Sequence, residues 1–279
     1  MNRLFENGSL RKAATELWEN GYALIPGYKS VFAQEAQEAY RELIHTGNLE
    51  RIRLLRFITE YRPDGTPEWD DGFLNWVNDR DNPGKDTKHV FHWRPDTARN
   101  IREILFRNKD TRLFQLVDAF LSQCTTVHGY HLRIVLNLLE AFDMLGVVQA
   151  SFLNEFIGSY FNPGATSRAV TRLLYYPETA QSSKAKRHLD RSFITLYGGD
   201  TGGSLYGVFP DGSTEIVSPK EGEILVFWGF KAKIFAREHD MQIEPLAHEA
   251  RTEGGAERQA VVSFFHINRE LWDAPPVPY

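Results

Sequence analysis

The sequence predicts a mixed α/β protein of the α+β kind, a β-sandwich or jelly-roll barrel with helices packed outside it, mainly from the N-terminal half. Two observations predict this. Up to about residue 160 the apolar residues recur three and four apart, the helical period; beyond Asn162-Pro163-Gly164 that period vanishes. In its place come short β-rich runs separated by Gly, Pro and Asp turns, the pattern of a sandwich or jelly roll.

A short strand, Tyr22–Ile25, ends at the turn Pro26-Gly27. Apolar residues at Val31, Phe32, Ala36, Tyr40, Leu43 and Ile44 then mark a helix with one buried face. Glu60 to Pro95 is rich in Asp, Asn, Gly, Pro and Trp and reads as loop. Helical spacing resumes at Ile101, Leu105, Leu113, Leu116, Val117, Phe120 and Leu121, and again through Ile134, Val135, Leu138, Leu139, Phe142 and Leu145. On this reading Cys124 lies near a helix end, and His128 and His131 at a helix start. A last helix runs from Val148 to Tyr160. The expected strands are Ala169–Tyr176, His188–Tyr197, Ser204–Val208, Thr214–Val217, Glu223–Trp228, Met241–Ala247 and Gln259–Ile267. Gly198-Gly199-Asp200, Gly202-Gly203, Pro210-Asp211-Gly212 and Gly254-Gly255 supply turns between several of them. No repeat or linker divides the chain. It reads as one domain over 1–279, with 1–165 mostly helical and 166–270 forming the jelly-roll core.

Composition narrows the function classes. A net charge of −5 gives nothing in favour of a nucleic-acid or membrane partner, and neither is expected. One cysteine cannot form an intrachain disulfide. The first 21 residues lack the apolar stretch of a signal peptide, and the longest strongly apolar run, Ile224 to Trp228, is too short to span a bilayer. A cytoplasmic protein is therefore expected.

The chemistry concentrates in His188-Leu189-Asp190. On a strand, residues two apart share a face, so an imidazole and a carboxylate would project together. His248 lies 58 residues beyond Asp190 near the end of an expected strand, and Arg258 opens the next strand ten residues later. Two imidazoles and one carboxylate leave half of an octahedral shell open, an arrangement suited to iron(II) that must bind a co-substrate and dioxygen together. Ligand type alone also admits zinc, and a buried polar cluster without metal is the remaining alternative. His239 is the substitute should His248 not be the distal ligand.

With these residues in place, the second half resembles the isopenicillin N synthase-like branch of the iron(II)/2-oxoglutarate-dependent oxygenases. The resemblance rests on His188-x-Asp190, His248 and Arg258. It is reinforced by Arg172-Leu173-Leu174-Tyr175-Tyr176-Pro177, by Ile194-Thr195-Leu196, by Ser263-Phe264-Phe265 and, loosely, by Asn20-Gly21-Tyr22-Ala23-Leu24-Ile25. It implies a double-stranded β-helix core and iron(II) on His188, Asp190 and His248. It also implies 2-oxoglutarate and dioxygen as co-substrates, with Arg258 and Tyr176 gripping the far carboxylate of the former. The reaction would be hydroxylation, desaturation or oxidative cyclisation of a small molecule in natural-product or amino-acid metabolism. In related halogenases a small residue replaces the carboxylate ligand, so Asp190 points away from halogenation. Two departures stand out: Leu174 where the family has Asn, and Ala260 where it has Ser. These leave room for a 2-oxoglutarate-independent oxidase like isopenicillin N synthase itself, and a non-catalytic β-barrel binding protein is the other alternative.

The remaining polar residues divide between site and scaffold. Arg258 alternates with Ala260 and Val262 on one strand face, which turns its guanidinium inward, and its planar fork suits a carboxylate. Arg172 shares a face with Leu174 and Tyr176, and either reaches a substrate carboxylate or pairs with an acidic neighbour. His89 and His92 either line the substrate pocket or belong to a surface loop. Lys184, Lys186 and Arg187 read as a solvated basic loop.

Overall fold

A computed structural model of the protein describes residues 7–46, 52, 55–61, 67–75, 88–107, 111–146, 169–178, 184–202, 204–238, 241–251 and 256–266. In chain order the elements are α1 (Asn7–Asn20), β1 (Tyr22–Pro26), α2 (Val31–His45), β2 (Arg56–Tyr61), β3 (Pro67–Asn75), β4 (His89–Trp93), α3 (Pro95–Arg107) and α4 (Thr111–Leu145). They continue with β5 (Val170–Tyr176), β6 (Lys184–His188), β7 (Ile194–Gly198), β8 (Ser204–Val208), β9 (Thr214–Ile216), β10 (Glu223–Trp228), α5 (Phe230–Glu238), β11 (Ala247–Arg251) and β12 (Arg258–Phe265).

The strands form two sheets. An eight-stranded sheet has the order β1-β10-β7-β12-β5-β4-β3-β2, and a four-stranded sheet the order β6-β11-β8-β9. Every described pairing is antiparallel.

Where β1, β10, β7, β12 and β5 form it, the large sheet is buried on both faces, and the period of two along these strands sorts their residues between two cores. Ala23 and Ile25 of β1, Ile224, Val226 and Trp228 of β10, Ile194 and Leu196 of β7, and Val261 and Phe265 of β12 face the helices. Their alternates Tyr22 and Leu24, Leu225 and Phe227, Tyr197, and Ala260, Val262 and Phe264 face the small sheet, where they meet Leu205 and Ala250. That second interior is the barrel.

Over the outer face lies α4, 35 residues long and about 52 Å from end to end at ~1.5 Å per residue. Its buried stripe runs Leu113, Val117, Phe120, Leu121, Cys124, Val127, His128, His131, Ile134, Val135, Leu138 and Phe142, spaced by three and four. The three preceding helices pack against it.

The structure redraws several expected elements. The described residues of 60–95 are mostly strand rather than loop: β3 and β4 lie among them, β2 reaches Tyr61, and Val90, Phe91 and Trp93 are buried. The backbone ladder of β5 recruits this polar stretch, a tertiary effect that local composition does not show. Cys124, His128 and His131 lie inside α4 rather than at helix boundaries, because Cys124, Val127, His128 and His131 themselves continue the buried stripe across the apparent gap. The run 188–197 is broken, with β6 ending at His188 and β7 starting at Ile194. Residues 241–246 are irregular and β11 begins only at Ala247, consistent with Pro245 lacking a ladder N–H. Helix α5 has no counterpart in the sequence reading. The expected helix Val148–Tyr160 lies outside the described residues.

Between α4 and the sheet runs a buried chain of hydrogen bonds. His128 Nδ1 meets Thr171 Oγ1 at 3.0 Å, Thr171 meets Ser263 Oγ at 2.8 Å, Ser263 meets His131 Nδ1 at 2.7 Å, and His131 Nε2 meets the Tyr28 hydroxyl at 2.9 Å. Burial pushes the His128 imidazole down to about 4 and, with His128 beside it, His131 to about 3. Both are neutral in the folded protein at about pH 6, whereas an unfolded imidazole titrates near ~6.5. The unfolded state therefore binds more protons below that value, and stability falls as pH drops from about 6.5 towards 4. The slope contributed is at most about 1.4 kcal/mol per pH unit for each histidine. Urea melts between about pH 7 and pH 5 should show this slope, and His131→Gln should flatten it by up to about one proton. An unchanged slope in that variant would remove His131 from the account.

Candidate metal centre

Strands β6 and β11 are hydrogen-bonded neighbours in the small sheet, and their register sets His188 directly opposite His248. The two rings lie 4.4 Å apart, centroid to centroid. Asp190 follows two residues after β6 and turns its carboxylate back towards them, with Oδ1 3.6 Å from His188 Nε2 and 3.8 Å from His248 Nε2. One ligand atom from each residue lies within 4.8 Å of the others, and this is the one such group of three or more His, Cys, Asp or Glu among the described residues. The cluster expected from the sequence therefore forms, though not along one strand: His188 ends β6, and Asp190 belongs to the bend that follows.

That bend is held from several sides. The Asp190 carbonyl accepts the Phe230 N–H at 2.7 Å, the Gly229 N–H reaches the Phe193 carbonyl at 2.9 Å, and the Phe193 N–H reaches the Phe265 carbonyl at 2.8 Å. Thr195 Oγ1 donates to Asp190 Oδ2 at 2.9 Å, and Ser192 Oγ meets Thr195 Oγ1 at 2.6 Å. Gly229 is required by space: a Cβ there would overlap the Ser192 carbonyl and hydroxyl. The role of Thr195 was not read from the sequence, although Ile194-Thr195-Leu196 was among the resembling motifs; Ser192 and Gly229 were not singled out, and the signal for the latter was a glycine closing the apolar run Ile224–Trp228.

The donor set fits a divalent transition metal. His248 Nδ1 lies 3.2 Å from the Leu246 carbonyl, which as acceptor fixes the tautomer and leaves Nε2 turned to the cluster. Burial lowers the His248 pKa against the pull of Asp190, so the imidazole is neutral. For Asp190 burial opposes ionisation, but His248, His188 and the Thr195 hydroxyl together bring it down to about 2. The group thus presents two histidine rings and one ionised carboxylate, the set that holds iron(II) with positions left open. The side chains of Asp190 and His248 are 9% and 7% exposed while that of His188 is 46% exposed, so the cluster opens towards solvent on the His188 side.

Arg258 points inward and is buried, as its strand pattern requires. It pairs in register with Tyr176 and its guanidinium lies 5.2 Å from that ring. Its fork, however, holds a carboxylate the sequence reading did not anticipate: Nε reaches Asp200 Oδ1 and Nη2 reaches Asp200 Oδ2, each at 3.0 Å. Nη2 also donates to the Tyr197 hydroxyl at 2.7 Å, and that hydroxyl donates to Asp200. Burial would lower the Arg258 pKa, but Tyr197 and Asp200 raise it instead. Arg172 faces the same interior. Its Nε meets His92 Nε2 at 2.7 Å, its guanidinium covers the Phe264 ring at 4.7 Å, and it feels the charge of Asp190. Among the described residues Arg172 forms no ion pair with a carboxylate, so the acidic-neighbour alternative is absent there.

His92 shares that interior, whereas His89 packs against Tyr175 on the opposite face, so neither belongs to a surface loop. His239 lies outside the described residues, and Arg187 is exposed. The groove lined by Trp18, Lys233, Arg237 and Met241 includes none of the three cluster residues, and its Glu244 is paired with Lys233 at 2.8 Å.

No family model matches the sequence, and no curated protein matches it. Solved structures do. A Caulobacter crescentus protein described as of the 2OG-Fe(II) oxygenase family superposes with a TM-score of 0.65 at 16% identity, over 94% of this chain and 83% of that one. Arabidopsis thaliana dioxygenase for auxin oxidation 1, solved as its 2-oxoglutarate complex, gives 0.61 at 15%, over 97% and 91%. A full-length Neurospora crassa protein, solved with alpha-KG and 5-formyluracil, gives 0.59 at 14%, over 94% and 79%. Sequence identity is low throughout and the likeness is one of architecture: the chain has the double-stranded β-helix fold of the 2-oxoglutarate-dependent iron(II) oxygenases.

Proposed function

We propose that the protein is an iron(II)- and 2-oxoglutarate-dependent dioxygenase that oxidises a small molecule by hydroxylation, desaturation or oxidative cyclisation. The observation that carries this reading is the His188–Asp190–His248 cluster, formed inside a barrel of the fold just described. Iron(II) there would supply dioxygen activation coupled to oxidative decarboxylation of 2-oxoglutarate to succinate and carbon dioxide.

The chain's own residues account for the rest. Thr195 and the bend stapled by Phe230 hold the Asp190 carboxylate in its ligating orientation. The Leu246 carbonyl holds the His248 ring. Arg258 and Tyr176 are the seat for the distal carboxylate of 2-oxoglutarate, and Arg172 is a second cation on the same wall, nearer Asp190. Phe227 packs against His248 with centroids 4.9 Å apart, and Phe264 lies under Arg172, so apolar surface flanks the reacting region on those sides. The neighbours solved with thymine and named for auxin oxidation are consistent with a compact organic substrate.

One observation favours a second reading, a 2-oxoglutarate-independent oxidase of the isopenicillin N synthase type: Asp200 already fills the Arg258 fork. Succinate release separates the two, since the oxidase consumes dioxygen without it.

Three outcomes are expected. Anaerobic titration should show one iron(II) bound per chain, with His188→Ala, Asp190→Ala and His248→Ala each abolishing turnover; a fully active His248→Ala would exclude that ligand. Gly229→Ala should weaken iron(II) binding by displacing the Ser192 carbonyl and with it Asp190, while circular dichroism stays native. Equal metal affinity in Gly229→Ala and wild type would deny the bend its role. Removing one partner of a buried ion pair costs about 2–5 kcal/mol. At ~1.4 kcal/mol per tenfold, Arg258→Ala should raise the half-saturating 2-oxoglutarate roughly 30-fold to a few thousand-fold. Arg258→Lys should recover part of that loss, because a point charge cannot reproduce the fork.

A further inference from the structure

We infer that Asp200 is a resident carboxylate in the seat of the co-substrate's distal carboxylate, so that a dicarboxylic 2-oxo acid binds by exchanging with Asp200 at Arg258. This rests on the proposed function and adds a residue that sets co-substrate affinity.

The chemistry of the seat is the first support. A guanidinium fork and a tyrosine hydroxyl converge on one carboxylate, as they would on that of a diacid ligand. The side chains are 2% and 4% exposed, so this is a dry, fully formed carboxylate site rather than a surface ion pair.

The second support is where the pair faces. Tyr197 belongs to the barrel-side core, and Tyr176 lies on the same strand face as Arg172, which senses both Tyr176 and Asp190. Arg258 is thereby connected along one wall to the metal cluster.

The third support is charge balance. With Asp200 in place the fork is neutralised, and a second carboxylate beside it would leave one negative charge in excess in a dry interior. Exchange keeps one carboxylate on one guanidinium before and after. Asp200 sits in a glycine-rich turn, where its Oδ1 accepts the Gly202 N–H at 3.2 Å as well as the Arg258 Nε–H.

The test is calorimetric titration of 2-oxoglutarate into protein loaded with manganese(II), which binds such ligands without turnover. Asp200→Asn is isosteric and lacks the competing charge, and should bind 2-oxoglutarate at least about tenfold tighter than wild type, a difference of ~1.4 kcal/mol. Asp200→Ala opens the fork, and acetate, as a replacement carboxylate, should raise its melting temperature more than it raises that of wild type. Equal or weaker binding by Asp200→Asn, with wild type binding normally, would make Asp200 a support for Arg258 and overturn the exchange while sparing the proposed function. The same holds if acetate acts equally on Asp200→Ala and wild type, which would place the co-substrate on another cation such as Arg172. If no form binds 2-oxoglutarate although manganese(II) binds, the exchange and the 2-oxoglutarate reading fall together and the oxidase reading stands.

Discussion

A sheet buried on both faces imposes a severe condition on its strands. Each must supply one apolar set to the helices and another to the barrel, and a slip of one residue would swap them. In β12 that slip would send Ser263 from its hydrogen bonds with His131 and Thr171 into the barrel, and turn Arg258 towards the helical core. Fully burying a Leu or Phe side chain is worth about 1.5–3 kcal/mol, so the alternation of Ala260, Val262 and Phe264 with Val261 and Phe265 holds the register firmly. The polar residues are placed by that same register. His128 and His131 find partners on one face, while Arg172, Tyr176, Tyr197 and Arg258 are gathered on the other.

The ligand cluster was legible in the sequence because it is encoded by residue type and separation: His188, Asp190 and His248 need no detailed local structure to be recognised. The local argument was nevertheless incomplete. A shared strand face was expected to align His188 with Asp190, whereas a bend held by Phe230, Thr195 and the missing side chain of Gly229 does so. Those contacts join segments whose sequences show no common pattern. Arg258 was legible as an inward cation from its alternation with Ala260 and Val262, but Asp200 was hidden in a turn, where aspartate is ordinary.

The fold was legible where one period persisted. The helices flanking Tyr40 and Phe142 and most strands after residue 169 follow their apolar spacing. Strands β3 and β4 did not show themselves, because Asp, Gly and His in that stretch become strand through tertiary ladders, from β5 to β4 and from β4 to β3. Helix α4 looked like two helices because the middle of its buried stripe is made of Cys124, His128 and His131 rather than aliphatic residues. A polar residue within a buried stripe is thus ambiguous in sequence and decided by whether a partner such as Thr171 lies opposite.

The two histidines of the cluster belong to the small sheet, while Arg258 and Tyr176 belong to the large one. Any ligand that touches both therefore spans the gap between layers, which in packed sheets is about 10 Å. The barrel thereby acts as a caliper: strand separation, more than any single contact, limits how many carbons can lie between the two ends of a bridging acid. Such a ligand is also a tie between the layers, and it stabilises the closed barrel in proportion to how fully it occupies the site.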